Sequence, residues 1–171
     1  SMEFTSAAAG EVSAVSSHLK ENPSDLNCYV VVDQKERVFY SFIGYACAHG
    51  HKEVVEYLLG QERIEVNARI KIEYRINIPT PLEAACHGGH VEIVQQLLEH
   101  PGINVKREYF REIMQNIPST NGSLESTATI GAMLCKKGNF HPSELLGREE
   151  DKELEAKICD YLVPKKSARN Q

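Results

Sequence analysis

The sequence predicts an all-α solenoid of helix-turn-helix units that carry elongated β-hairpin fingers. Three observations lead there. Two stretches of the chain match each other at a fixed offset. Each stretch holds two short apolar segments of helical period with a glycine between them. Between one pair and the next, β-branched or aromatic residues alternate with polar ones. Self-similarity at a period of roughly 20–50 residues is the mark of stacked supersecondary units.

Residues 43–68 (IGYACAHGHKEVVEYLLGQERIEVNA) and 82–106 (LEAACHGGHVEIVQQLLEHPGINVK) coincide at an offset of 39. Ala46 falls on Ala85, Cys47 on Cys86, Gly50 on Gly89 and His51 on His90. Glu53, Val55, Leu58 and Leu59 then fall on Glu92, Val94, Leu97 and Leu98. Ala46, Cys47, Ala84, Ala85 and Cys86 keep the first helix of each unit thin, so neighbouring helices can approach closely. Gly50 and Gly89 stand where that helix must end, because glycine tolerates a left-handed cap. The second helix carries Val54, Val55, Leu58 and Leu59, and in the next unit Ile93, Val94, Leu97 and Leu98, as a single apolar stripe. Gly60 and Asn67, like Gly102 and Asn104, turn the chain out.

Ahead of this pair, residues 7–19 (AAAGEVSAVSSHL) and 22–27 (NPSDLN) read as a first unit, and Asn27 stands 40 residues before Asn67. Behind it, residues 107–117 read as an inner helix, 118–123 (PSTNGS) as a long polar loop, and 127–142 as an outer helix with its exit turn. Residues 152–163 place Leu154, Ile158 and Leu162 on one stripe and read as a capping outer helix. A single domain over 1–171 is therefore expected, with units 3–40, 41–79, 80–105 and 106–141, a degenerate cap 142–163 and a tail 164–171.

Within the pair, TPLEAACHGGHVEIVQQLL at residues 80–98 resembles the ankyrin repeat, whose pattern is T-P-L-H-x-A-A-x-x-G-H-x-x-V-V-x-L-L. Glu83 stands where that family has His, and Ser41, Phe42 and Ile43 replace Thr-Pro-Leu in the preceding unit. The strong resemblance covers two units, about a third of the chain. It implies stability by stacking of adjacent units and a non-catalytic role in protein recognition.

A typical unit of that family has about 33 residues; these have 39 to 40, and the excess falls between an outer helix and the next inner helix. Residues 28–41 (CYVVVDQKERVFYS) place β-branched and aromatic residues on both sides of a polar turn. Residues 68–79 alternate Ile70, Ile72, Tyr74, Ile76 and Ile78 with Arg69, Lys71, Glu73, Arg75 and Asn77. Period two argues strands or hairpins, expected to pair side by side. Whether a finger keeps its cations on one face depends on the loop length, and the residues alone leave both arrangements open.

Composition narrows the function. The 171 residues include 19 Lys+Arg and 24 Asp+Glu, a net charge of −5, whereas a general nucleic-acid binder carries a basic footprint; no nucleic-acid partner is expected. No apolar run approaches the roughly 18 residues of a membrane span, and the N-terminus lacks the pattern of a secretory signal. Cysteines 28, 47, 86, 135 and 159 form no paired framework and are expected to be free thiols in a reducing, cytoplasmic setting, with the nucleus as the alternative. Ser1 before Met2 reads as a cloning remnant, so a longer parent chain is one expectation; the domain itself is expected to be monomeric.

Cys47 with His51, and Cys86 with His87 and His90, invite a metal or nucleophile reading. Zinc needs about four converging ligands, and the family resemblance gives these histidines a bracing role and the cysteines a core position. Nucleophilic catalysis needs a base in reach and an oxyanion pocket; no phosphate-cradling loop, nucleophile elbow or carboxylate dyad appears. No metal, no cofactor and no intrinsic enzyme activity are expected. Residues 68–79 carry a net +2 from Arg69, Lys71 and Arg75 against Glu73, while Lys106, Arg107 and Arg111 outnumber Glu108 and Glu112 by one. Such charges can solubilise an edge or contact a partner. The expected contact residues are Arg69, Lys71, Tyr74 and Arg75 on the finger, with Tyr45, His49, Glu83 and His87 on the concave side. An acidic or phosphorylated peptide is the partner that cations favour. The alternatives are the targeting arm of a larger enzyme (a ubiquitin ligase, kinase or pathogen effector) and a self-assembly module.

Overall fold

A computed structural model describes residues 10–33, 35, 37–74, 78–116 and 123–164. The chain forms two compact units, Ser1–Asn104 and Val105–Gln171. The first unit holds α1 (Val12–Glu21), a 3-10 turn (Pro23–Asn27), β1 (Val30–Asp33), β2 (Val38–Tyr40), α2 (Phe42–His49), α3 (Lys52–Leu59), β3 (Lys71–Ile72), α4 (Pro81–His87) and α5 (Val91–Glu99).

The helices begin and end where local chemistry requires. The Ser41 hydroxyl accepts from the Gly44 N–H, and the Thr80 hydroxyl from the Glu83 N–H, each at 3.2 Å. Each cap satisfies an otherwise unpaired N–H of the first turn, so Ser41 does this work without the proline that Thr80 has beside it. Inner helix α2 packs on α4, while outer helices α1, α3 and α5 pack in a row. Ala46, Cys47, Ala85 and Cys86 are fully buried along the inner seam, and Val54, Val55, Leu58, Ile93, Val94 and Leu97 fill the layer behind it. The thin inner helices thus meet closely, and the apolar stripes close the core.

Two side-chain devices join consecutive repeats. Asn27 donates to the Arg63 carbonyl at 2.7 Å and accepts from the Glu65 N–H at 2.9 Å. Asn67 does the same one repeat later, with the Gly102 carbonyl at 2.8 Å and the Asn104 N–H at 2.9 Å. His90 supplies the second device: its Nε2 donates to the Ala48 carbonyl at 3.3 Å, and its ring covers Gly50. His51 covers Gly10 in the same manner. Each histidine of the repeated Gly-His pair therefore packs against a glycine that lies one repeat earlier.

Strands β1, β2 and β3 form one antiparallel sheet in that order. Val30 pairs with Tyr40 and Val31 with Phe39, and a bulge follows between Val31 and Asp33. Val38 pairs with Ile72 and Phe39 with Lys71. Among the described residues of the alternating stretch 68–79, strand geometry is confined to Lys71–Ile72, and the chain turns at Glu73 and Tyr74, where Tyr74 takes φ +66°. Arg75, Ile76 and Asn77 lie outside the described residues, as do residues 1–9, 34, 36, 117–122 and 165–171. The beginning of the first unit, most of the 118–123 loop and the basic tail fall there.

The second unit holds α6 (Arg107–Asn116), α7 (Leu124–Gly138), α8 (Pro142–Leu145), a 3-10 turn (Glu149–Asp151) and α9 (Lys152–Leu162). Phe110, Ile113 and Met114 of α6, Ile130 and Leu134 of α7, Leu145 of α8 and Ile158 of α9 form its core. At Gly131 a Cβ would lie 2.6 Å from Ile158 Cδ1 and 2.8 Å from Met114 Cε, so glycine lets α7 take contacts from both neighbours. Helix α7 starts three residues before the expected 127, because Ser123 caps it by accepting from the Ser126 N–H at 3.2 Å. The short α8 was not expected from periodicity; His141, Pro142 and Glu144 build its first turn as a capping box. Asp151, 4% exposed, is held by Arg148 through Nε at 3.2 Å and Nη2 at 3.3 Å.

Gly50 has φ +77°, and a Cβ there would lie 2.7 Å from the His90 ring. Gly50→Ala is expected to lower unfolding stability by about 1–2 kcal/mol from the left-handed backbone alone, and further through displacement of His90. Gly60, with φ −77° and its nearest neighbour at 3.4 Å, is the control; Gly60→Ala is expected to stay within about 0.5 kcal/mol. Urea unfolding of both variants checks this.

Candidate functional site

Directly opposed residues of an antiparallel pair share a face of the sheet. Val31, Phe39 and Lys71 are therefore on one face, and Val30 and Tyr40 on the other with Val38 and Ile72. The second face is the one turned to α2. Tyr40 lies edge-on to Tyr45 at 5.3 Å and to His49 at 6.0 Å, and Ile70 packs against Gly44.

On that inner face the rings form an ordered group. Tyr45 and His49, one turn apart on α2, stack at 3.9 Å with planes 13° apart, and His51 runs parallel at 6.2 Å from each. His49 Nδ1 lies 3.0 Å from the Tyr45 carbonyl. A carbonyl only accepts, so Nδ1 carries the hydrogen and, in the neutral ring, Nε2 presents a lone pair. Tyr45 is 8% exposed and supports the exposed His49 rather than offering its own face. Burial raises the phenol pKa of Tyr45; it also raises that of Tyr40, with the neighbouring Tyr45 adding to the effect. On α4, Glu83 and His87 are both half-buried. Burial holds the His87 imidazole below its ordinary range and so favours the neutral ring.

The finger cations have separate fates. Arg69 donates from Nη1 to the Ile78 carbonyl at 2.5 Å, closing the base of its finger. Arg37 pairs with Glu73, and the Glu73 N–H donates to the Arg37 carbonyl at 3.2 Å, which ties the two fingers together. Lys71 is exposed on the outer face, its ammonium 4.1 Å above the Tyr29 ring. The Tyr29 hydroxyl in turn donates to the Arg69 carbonyl at 2.7 Å. Burial, and then the Glu65 carboxylate, raise the Tyr29 pKa, so the donor keeps its proton. Tyr74 is 92% exposed in the left-handed region, a conformation that costs a bulky residue of order 1–3 kcal/mol. Arg75 lies outside the described residues.

The structure thus brings Tyr45 and His49 together and places Lys71 on the opposite side of the sheet. Tyr29 and Tyr40, which organise the two faces, escaped sequence reasoning. Their signal is an aromatic at either end of the 28–41 finger, and it acquires meaning only through the strand register.

Elsewhere the chemistry is quiet. Burial drives the Cys47 and Cys86 thiols well up, Cys47 also by proximity to Cys86 and Cys86 by the Glu83 carboxylate, the reverse of what an attacking thiolate needs. Among the described residues no group of three or more His, Cys, Asp or Glu is placed to hold a metal ion, and no helix is long and apolar enough to cross a membrane.

The depressed His87 pKa has a definite sign. As pH falls through 6.5, the unfolded chain takes up a proton that the folded imidazole resists, so stability present above that pH is lost below it. Between pH 7.5 and 5.5 the native chain is expected to lose more unfolding free energy than His87→Gln. Equal losses in urea titrations of the two proteins would contradict the assignment.

The sequence matches the family described as Ankyrin repeats (3 copies) over residues 5–109. No curated protein matches the chain. Ankyrin repeats are in general protein–protein interaction modules, and domains built from them are typically non-catalytic. With its repeated caps, thin inner helices, braced Gly-His turns and this match over more than half its length, the chain belongs to the ankyrin-repeat family.

Proposed function

We propose that this chain is a non-catalytic recognition module that holds an acidic or phosphorylated segment of a partner protein against the inner face and the finger sheet. The observation that carries the reading is the exposed His49 ring, held by stacking on Tyr45 and by its bond to the Tyr45 carbonyl. A group fixed in this way loses little freedom on binding, which favours affinity. Glu83 and His87 on α4 are the contacts expected from the next repeat, and Tyr40 flanks His49. The finger contacts are Arg69, Lys71, Tyr74 and Arg75; the three basic residues supply the cationic part, and Lys71 is the one that favours an anionic group most clearly. All five thiols are free, which fits a reducing, cytoplasmic setting.

Synthetic peptides of matched length test this reading: one acidic, one phosphorylated and one basic, each with a fluorophore. The acidic or phosphorylated peptide is expected to bind better than the basic one, and its affinity to fall as salt rises from about 50 to 300 mM. His49→Ala is expected to weaken it by about tenfold, the scale of a contact that anchors an interface. Preference for the basic peptide, or binding that ignores salt, would sink the proposal.

A further inference from the structure

The division of the finger residues between two faces separates the Lys71 ammonium from the His49 groove. Lys71 shares the outer face with Phe39 and Val31, and the Tyr29 ring lies beneath its ammonium. We propose that this outer face is a second docking surface, and that its occupant is an extended segment presenting an apolar side chain and a carboxylate on the same side. The proposal rests on the partner-recognition reading above and names where the acidic group is bound.

Charge and spacing both point to that occupant. The chain carries a net −5, yet the ammonium on this face has no carboxylate paired with it among the described residues, whereas Arg37 is neutralised by Glu73. The cation–π contact holds Lys71 in place while leaving N–H donors for an incoming oxygen. Val31 is 44% exposed and adjoins Phe39 across the strand pair, giving an apolar floor beside the cation. Neighbouring strands lie about 4.8 Å apart, so Val31 and Lys71 are about 10 Å apart with Phe39 between them. Residues i and i+2 of an extended segment crossing the strands project on one side about 6.7 Å apart, which sets an apolar group over Val31 and Phe39 while the carboxylate reaches Lys71.

Tyr29 is the positioning residue of this surface. Its hydroxyl is fixed to the Arg69 carbonyl at 2.7 Å, so the ring stays under the ammonium. The ring therefore matters for holding Lys71, and the hydroxyl matters only through the ring.

The probes are a dodecapeptide of three Val-Ser-Glu-Ser repeats, which sets Val and Glu on the same side of an extended segment, and the same peptide with Lys in place of Glu, titrated into the full 15N-labelled chain. The acidic peptide is expected to shift the amides of residues 29–31, 39 and 71, and the basic peptide to leave them unmoved. Lys71→Gln is expected to weaken the acidic peptide by about fivefold, the scale of an exposed charge-assisted contact. Tyr29→Leu should weaken it comparably, while Tyr29→Phe, which keeps the ring and loses only the bond that steadies it, should weaken it less than Tyr29→Leu does. Shifts confined to residues 45–49 and 83–87, with Lys71→Gln silent, would overturn the outer-face proposal and leave the groove reading standing. Absence of shifts with either peptide would overturn both.

Discussion

Everything about the finger sheet depends on how Ile70 and Tyr40 seat against α2. Ile70, 3% exposed, enters the space that Gly44 leaves open, where a Cβ would lie 3.2 Å from Ile70 Cγ1. Tyr40 rests on Tyr45 from the neighbouring strand. These contacts hold the β2–β3 register. A slip of one residue would move every side chain to the other face of the sheet, carrying Lys71 into the groove and Ile72 out to solvent. The cost of exposing Ile70, on the order of 1.5–3 kcal/mol for a fully buried aliphatic side chain, opposes that slip.

Behind the sheet, the repeat array supplies the rigidity that recognition needs. Small residues along the inner seam let α2 and α4 approach closely. Asn27 and Asn67 pin successive exit turns, His90 braces the turn between α2 and α3, and His51 covers Gly10 ahead of α1. Each bond is modest alone, about 1 kcal/mol net. Their recurrence at one spacing makes each repeat's turn the template for the next. Rings on α2 thereby acquire fixed positions, and the His49 ring nitrogen that faces outward is chosen by backbone geometry one turn earlier.

Much of this was legible in the residues. The offset of 39 exposed the repeats, the glycines and thin helices followed from it, and the matching Asn27 and Asn67 marked the unit ends before their bonds were visible. Register was not legible, because alternation along residues 68–79 says that faces alternate without saying which face meets the helices. Tyr45 and Lys71 therefore looked like parts of one surface, although burial against α2 and cross-strand pairing separate them. Local capping also overrode periodicity: Ser123 extended α7 backwards, and His141 with Glu144 created α8 where the apolar pattern was silent.

The opposition of Lys71 and His49 across the sheet is the centre of the account, and proton nuclear Overhauser contacts within the free protein test it without any ligand. Lys71 side-chain protons should contact the Tyr29 ring and Phe39, while the Tyr40 ring should contact Tyr45 and His49. Contacts from Lys71 to the rings of Tyr40 or His49 would place the cation in the groove, and the two-faced surface described for this chain would be wrong.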